Sequence, residues 1–246
     1  MAQATIPDLE LVPREEFLAE MWPVNYRAGH HVTLIAPTQN GKTFLAFQLL
    51  AHVQPPKRPR WNPPVVLVMK PRDREVERWT QALGYQRLYT WPPVRSPWKG
   101  TPPGYVLWPK HTFDPDRDDA TMYREFRKAI LGRYKQGNSI IFADEILGLV
   151  DELRLGKEVR AVHTRGSGMG LGIWAATQKP SHVGGWVYSQ AEHLFLGNDP
   201  DKRNRDRFAE IGGVDPEVVK HYVAGLPRFH WLYVRRTGRK MCIVGP

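Results

Sequence analysis

Cysteine is nearly missing from this chain: Cys242 is the only one in 246 residues. A single thiol excludes an internal disulfide and any cysteine zinc cluster. Long apolar runs are missing too. The longest, Val65–Met69, has five residues, where a membrane-spanning helix needs about 20. The first thirty residues hold Asp8, Glu10, Glu15, Glu16 and Glu20 and no apolar segment. No secretory signal is therefore expected, and the cytoplasm is the expected compartment. Acidic residues are in deficit, 25 Asp and Glu against 35 Lys and Arg, for a net charge of +10. Such a surplus suits a polyanion, whose counterions basic side chains release, but it equally keeps a protein soluble and decides nothing alone. Aromatic residues are plentiful. Nine each of Trp, Tyr and Phe supply a core and exclude a disordered chain.

Apolar segments recur at spacings that suit alternating strands and helices. His31–Ala36, Val65–Met69, Ser139–Ala143, Gly172–Thr177 and His193–Gly197 read as strands. Their continuous apolar character is that of strands buried on both faces of a parallel sheet. The segment Phe44–Val53 is apolar nearly all round, the pattern of a buried helix. Ala120–Tyr134 and Glu145–His163 also read as helices. Alternation of this kind implies an α/β fold with helices on both faces of the sheet. Phe229–Arg235 and Arg239–Val244, separated by Thr237 and Gly238, read as an antiparallel hairpin at the sheet's edge. Two stretches, 54–64 and 90–104, are rich in proline, tryptophan and basic residues and so are neither central strands nor helices. Arg58, Arg60, Trp61, Arg95, Trp98 and Lys99 could form a contact surface there; the favoured reading is a pair of connectors whose tryptophans pack back on the core.

Three motifs carry chemistry. Ala36-Pro37-Thr38-Gln39-Asn40-Gly41-Lys42-Thr43 follows a strand and opens a buried helix, the setting of a phosphate-binding loop. Backbone N–H groups from Gln39 to Thr43 would wrap a phosphate at the helix N-terminus. Lys42 would reach the β- and γ-phosphates of ATP, and the Thr43 hydroxyl would bind Mg²⁺. The motif's first glycine is replaced by Ala36. A merely structural turn would leave Lys42 beside a buried helix start without a partner, at considerable cost. The second motif ends the strand Ser139–Ala143 in Asp144 and Glu145. Asp144 would complete a Mg²⁺ shell and Glu145 would orient and deprotonate water; taken alone, Asp144 could simply cap the next helix. The third is Gln178, just past a buried strand, which could hydrogen-bond a γ-phosphate or the lytic water; taken alone, it could equally be a polar strand-end residue in a turn before Pro180. Arginines that could complete a neighbour's site are Arg165 and, after the strand 193–197, Arg203, Arg205 and Arg207. The nine histidines show no metal-site spacing.

In this order, the motifs 36–43 and 140–145 and the run from Arg165 to Pro180 resemble those of the FtsK/HerA superfamily of P-loop ATPases. The last run, an arginine, glycines and an apolar strand ending Ala-Thr-Gln-Lys-Pro, is the discriminating piece. The resemblance spans roughly residues 30–244. It implies a RecA-like core with a mostly parallel central sheet flanked by helices and a C-terminal antiparallel hairpin. One ATPase domain over 31–246, after an N-terminal extension of residues 1–30, is expected. It also implies a homo-oligomeric ring, a hexamer or else a pentamer, that hydrolyses ATP with Mg²⁺ and moves double-stranded DNA. A bare core of this length is similar to viral genome-packaging ATPases, whose partner would be a portal or membrane-vertex protein. Conjugative or plasmid transfer is the alternative. A nucleotide-gated DNA-binding adaptor and a small-molecule kinase or NTPase are the readings of other classes. Met69-Lys70-Pro71 ends its strand without the acid often found there, and no function is assigned to it.

Overall fold

The computed structural model describes residues 6–57, 59–94, 100–178, 184–208 and 214–246. Ten strands occur among them: β1 Leu11–Pro13, β2 Val32–Ile35, β3 Val65–Leu67, β4 Gln86–Leu88, β5 Tyr105–Leu107, β6 Ser139–Ala143, β7 Leu171–Thr177, β8 His193–Leu196, β9 Trp231–Arg235 and β10 Lys240–Gly245. The α-helices are α1 Arg14–Glu16, α2 Trp22–Asn25, α3 Lys42–Ala51, α4 Arg74–Ala82, α5 Pro115–Gln136, α6 Gly156–Arg165, α7 Trp186–Ser189, α8 Lys202–Arg207 and α9 Pro216–Gly225. The chain forms two compact units. One comprises residues up to Arg27 with His31–Val53 and Thr177–Pro246; the other comprises Ala28–His30 and Gln54–Ala176.

In the first unit the strand order is β1-β10-β9-β8-β2. Strands β2 and β8 pair in parallel, β9 runs antiparallel to both β8 and β10, and β1 pairs in parallel with β10. The closing hairpin therefore forms, but β1 lies outside it, so the hairpin is not the edge. Aromatic packing ties the N-terminal segment down. The Phe17 ring meets Tyr233 edge-on at 4.8 Å, and Trp22 stacks on Tyr26 at 4.9 Å. Trp22 Nε1 donates to the Leu49 carbonyl, satisfying the one polar atom of a fully buried indole. Helix α3 buries Leu45, Ala46, Phe47, Leu49 and Leu50, as an all-round apolar helix must.

In the second unit the order is β7-β6-β3-β5-β4, every pair parallel. All residues of β6 and β7 are buried, which explains their unbroken apolar sequences. The expected helix Ala120–Tyr134 is the middle of the longer α5. Asp114 starts that helix by accepting from the Arg117 N–H, and Pro115 follows at its first position. The expected helix Glu145–His163 is broken. A π-helical turn, Gly148–Glu152, precedes Arg154 at φ +53°, and α6 begins at Gly156. Within that turn Gly148 lies close against Met69: a Cβ added there would fall 2.7 Å from Met69 Sδ.

Candidate nucleotide site

Each motif follows the C-terminal end of a parallel strand, where α/β proteins bind ligands. Residues 36–43 follow β2, Asp144 and Glu145 follow β6, and Gln178 follows β7.

In the first unit the loop between β2 and α3 is shaped by two left-handed residues, Gln39 at φ +61° and Gly41 at φ +82°. Gly41 is the N-cap of α3 and supplies no side-chain acceptor. The dipole of α3 favours an anion at this end. Ala36 does not disturb the strand end: its N–H donates to the Thr177 carbonyl at 3.3 Å. The next residue on β7's chain, Gln178, then reaches the loop, and the Thr38 hydroxyl donates to Gln178 Oε1 at 2.7 Å. Two of the three sequence motifs, residues 36–43 and Gln178, are therefore brought together. Lys42 is buried and not stranded, contrary to the expectation for a ligand-free turn. Its ammonium donates to the Ala36 carbonyl at 2.6 Å and the Pro37 carbonyl at 2.9 Å. The N-terminal segment adds a residue that the motifs do not announce. Arg14 sits 5.2 Å over the Phe44 ring in the first turn of α3, and burial draws its pKa below the ordinary arginine value.

In the second unit Asp144 is buried at 6% exposure. Its Oδ2 takes the Lys70 ammonium at 3.1 Å, and Glu145 Oε1 accepts the Leu147 N–H at 3.3 Å. Lys70 also donates to Asp73 Oδ2 at 2.8 Å. Desolvation pulls the Lys70 pKa down, but the carboxylates of Asp144 and Asp73 outweigh it and raise the pKa above the ordinary value. The position dismissed for lacking an acid is thus the cation that neutralises the acid of the second motif. No group of three or more His, Cys, Asp or Glu suited to a metal occurs among the described residues. Thr43 and Asp144 are hard oxygen donors of the kind Mg²⁺ takes one or two of, with phosphates supplying the rest. The buried Asp144 carboxylate already pairs with a cation, the Lys70 ammonium, so a positive ion suits that oxygen.

The candidate arginines differ in their surroundings. Arg165, the last residue of α6, and Arg203 in α8 are exposed. Arg205 Nη1 donates to the Asp199 carbonyl at 2.8 Å, which ties its guanidinium to its own loop. Lys179 and Pro180 lie outside the described residues, as do Arg58, Arg95, Trp98 and Lys99. What can be described of the proline- and tryptophan-rich stretches lines a cleft of about 290 Å³ with Trp61, Pro63, Trp91 and Pro102. Trp91 is buried and its N–H donates to Glu125 Oε2, so it packs back on the core as expected. Arg133 closes the cleft between the Trp91 and Tyr105 rings, and burial pushes its pKa down to about 10.

Among solved structures the chain is similar to B204, the DNA-packaging ATPase from Sulfolobus Turreted Icosahedral Virus, at TM-score 0.60 and 13% identity. That match covers 90% of this chain and 99% of that one. This chain shares its fold with a genome-packaging ATPase. B204 from Sulfolobus turreted icosahedral virus 2 in complex with AMPPCP matches at TM-score 0.58 and 14% identity, over 88% of this chain and 97% of that one. VirB4 of Thermoanaerobacter pseudethanolicus matches at TM-score 0.60 and 12% identity, over 87% and 88%. No protein-family model and no curated protein matches the sequence. The likeness is one of fold, here a mostly parallel α/β architecture that ends in the antiparallel β9–β10 pair. No helix among the described residues is long and apolar enough to cross a membrane.

Proposed function

We propose that the chain is an ATP-hydrolysing motor of the FtsK/HerA type that moves double-stranded DNA as a homo-oligomeric ring, in viral genome packaging. The observation that carries this reading is the phosphate loop with Gln178 bonded to it through Thr38. A loop that binds phosphate is coupled there to a residue at a strand end. The packaging assignment is supported by B204, which this chain matches over nearly its whole length, more fully than VirB4. A packaging ATPase would have a portal or membrane-vertex protein as a further partner.

In this reading the N–H groups at 39–43 bind the phosphates of ATP, and Lys42 leaves the Ala36 and Pro37 carbonyls for the β- and γ-phosphate oxygens. Thr43 and Asp144 would hold Mg²⁺, which supplies charge neutralisation on those phosphates. Glu145 accepts the proton of the attacking water. Gln178 hydrogen-bonds the γ-phosphate and exchanges that contact for Thr38 when phosphate leaves. Arg165 or Arg203, each exposed, completes the neighbouring subunit's site; Arg205 is less suited because its guanidinium is engaged.

Steady-state ATP hydrolysis with and without long double-stranded DNA, with particle mass measured on the same samples, tests the proposal. DNA stimulation by a ring-sized particle is expected. Lys42→Ala should abolish turnover, and Glu145→Gln should bind ATP yet turn over at least about a hundredfold more slowly, the lower range for a lost general base. Hydrolysis indifferent to DNA in a monomer would refute the motor.

A further inference from the structure

The turn that leads into β9 leans on the phosphate loop from outside the three motifs. Arg228 Nη2 donates to the Gln39 carbonyl at 2.9 Å. The same guanidinium lies 4.7 Å from the centroid of the Phe229 ring. Phe229 holds φ +67°, a left-handed conformation that an aromatic residue rarely adopts. Its ring covers the glycine of the loop: a Cβ on Gly41 would fall 3.3 Å from Phe229 Cδ1. The turn is closed by the His230 N–H donating to the Pro227 carbonyl. A strained aromatic residue thus sets an exposed arginine against one particular carbonyl. Strain of this kind persists where surrounding structure imposes it, and it concentrates at functional sites.

That carbonyl matters because of the peptide plane to which it belongs. A phosphate cradle works by turning successive N–H groups inward, and a carbonyl pointing the same way would repel the anion. In a trans peptide the C=O and N–H point in opposite directions. The plane that carries the Gln39 carbonyl also carries the Asn40 N–H. Holding the carbonyl on Arg228 therefore turns the Asn40 N–H away from Arg228. Gln39 is in the left-handed region, where a non-glycine residue pays a conformational penalty. Without a partner for its carbonyl, the plane has reason to flip.

We propose that Arg228 is a positioning residue for nucleotide binding, which pins the Gln39 carbonyl so that the Asn40 N–H is presented to the phosphates of ATP, with Phe229 holding the guanidinium in place. This inference rests on the reading of residues 36–43 as a nucleotide site. Arg228 pre-forms the cradle and takes no part in the chemical step, so its loss acts on binding and not on turnover at saturation.

The test is equilibrium titration of the full chain with ATP, together with the KM and kcat of hydrolysis, for wild type, Arg228→Met and Arg228→Lys. Methionine keeps a stem over Phe229 and donates nothing; lysine keeps a cation over the ring and one N–H for the carbonyl. Arg228→Met should weaken ATP binding about tenfold, the low end for a charge-assisted hydrogen bond, and raise KM in step while kcat stays within about twofold. Arg228→Lys should recover binding to within about threefold of wild type. Unchanged ATP affinity in Arg228→Met overturns the inference. So does a loss of kcat at unchanged affinity, or a lysine variant as weak as the methionine one. Wild type that binds no ATP refutes the nucleotide reading itself, before any variant is compared.

Discussion

Lys70 Nζ bonds both the carboxylate assigned to Mg²⁺, Asp144, and a second one, Asp73, three residues along its own chain. A cation arriving at Asp144 therefore displaces an ammonium that already has another place to go. The Lys70 side chain is about half exposed, so the pair is worth at most about 1 kcal/mol. Removing it with Lys70→Ala should lower the Mg²⁺ concentration for half-maximal nucleotide-dependent activity by up to about fivefold. A Mg²⁺ titration at fixed ATP measures this, and a rightward shift would contradict the exchange. The motif residues were legible because their chemistry is written in local spacing: a lysine and a threonine opening a helix, two acids ending a strand. Lys70 was not. Its value depends on the ends of β3 and β6 meeting as parallel neighbours, and nothing near Lys70 in the sequence announces Asp144. Arg228 escaped notice for the same reason, since Gln39 lies at the other end of the chain.

Among the elements, the strands buried on both faces were read within a residue or two. Their apolar runs have no other explanation in a chain with turn residues on either side. Strands β1, β4 and β5 were missed, since three residues are too few to show a period; β3, equally short, was legible because it lies in the longest apolar run, Val65–Met69. The π-helical turn after Glu145 could not be read either, and Met69, which packs on its Gly148, belongs to another segment. Trp91 is anchored by a contact of similar reach. Glu125 on α5, with its carboxylate only 2% exposed, accepts from the Trp91 N–H and from Arg124 and Lys128. Desolvation raises the Glu125 pKa, but these donors outweigh it and hold it below the ordinary value. A carboxylate depressed on folding contributes stability that is complete above its unfolded pKa, about 4.3, and is lost as pH falls through the folded value. Glu125→Gln should therefore cost about 1 kcal/mol at pH 7 and make the acid limb of the stability profile shallower. Chemical denaturation from pH 7 down to pH 3 follows both, and an unchanged acid limb would show that other carboxylates dominate.

Across the whole molecule the +10 charge is the property that bears on the proposed substrate. If lysines and arginines meet DNA phosphates, binding releases counterions and weakens steeply with salt. The DNA-stimulated part of hydrolysis should fall at least about tenfold between 50 and 200 mM salt, while the basal rate without DNA changes little. Equal salt sensitivity of the two would point to an effect on the ATPase site instead. The sequence by itself determined the α/β class, the positions of the buried strands and the loop, acid pair and glutamine to which the proposed chemistry is assigned. These follow from burial on two faces and from short-range spacing, both of which are local. Only the tertiary structure decided the rest. It set β1 outside the closing hairpin, gathered the first and last segments into one unit, bonded Thr38 to Gln178, and laid Lys70 on Asp144 and Arg228 on the phosphate loop. Each of these joins residues far apart in the chain, and the side-chain contacts that select them exist only once the strands have found their order.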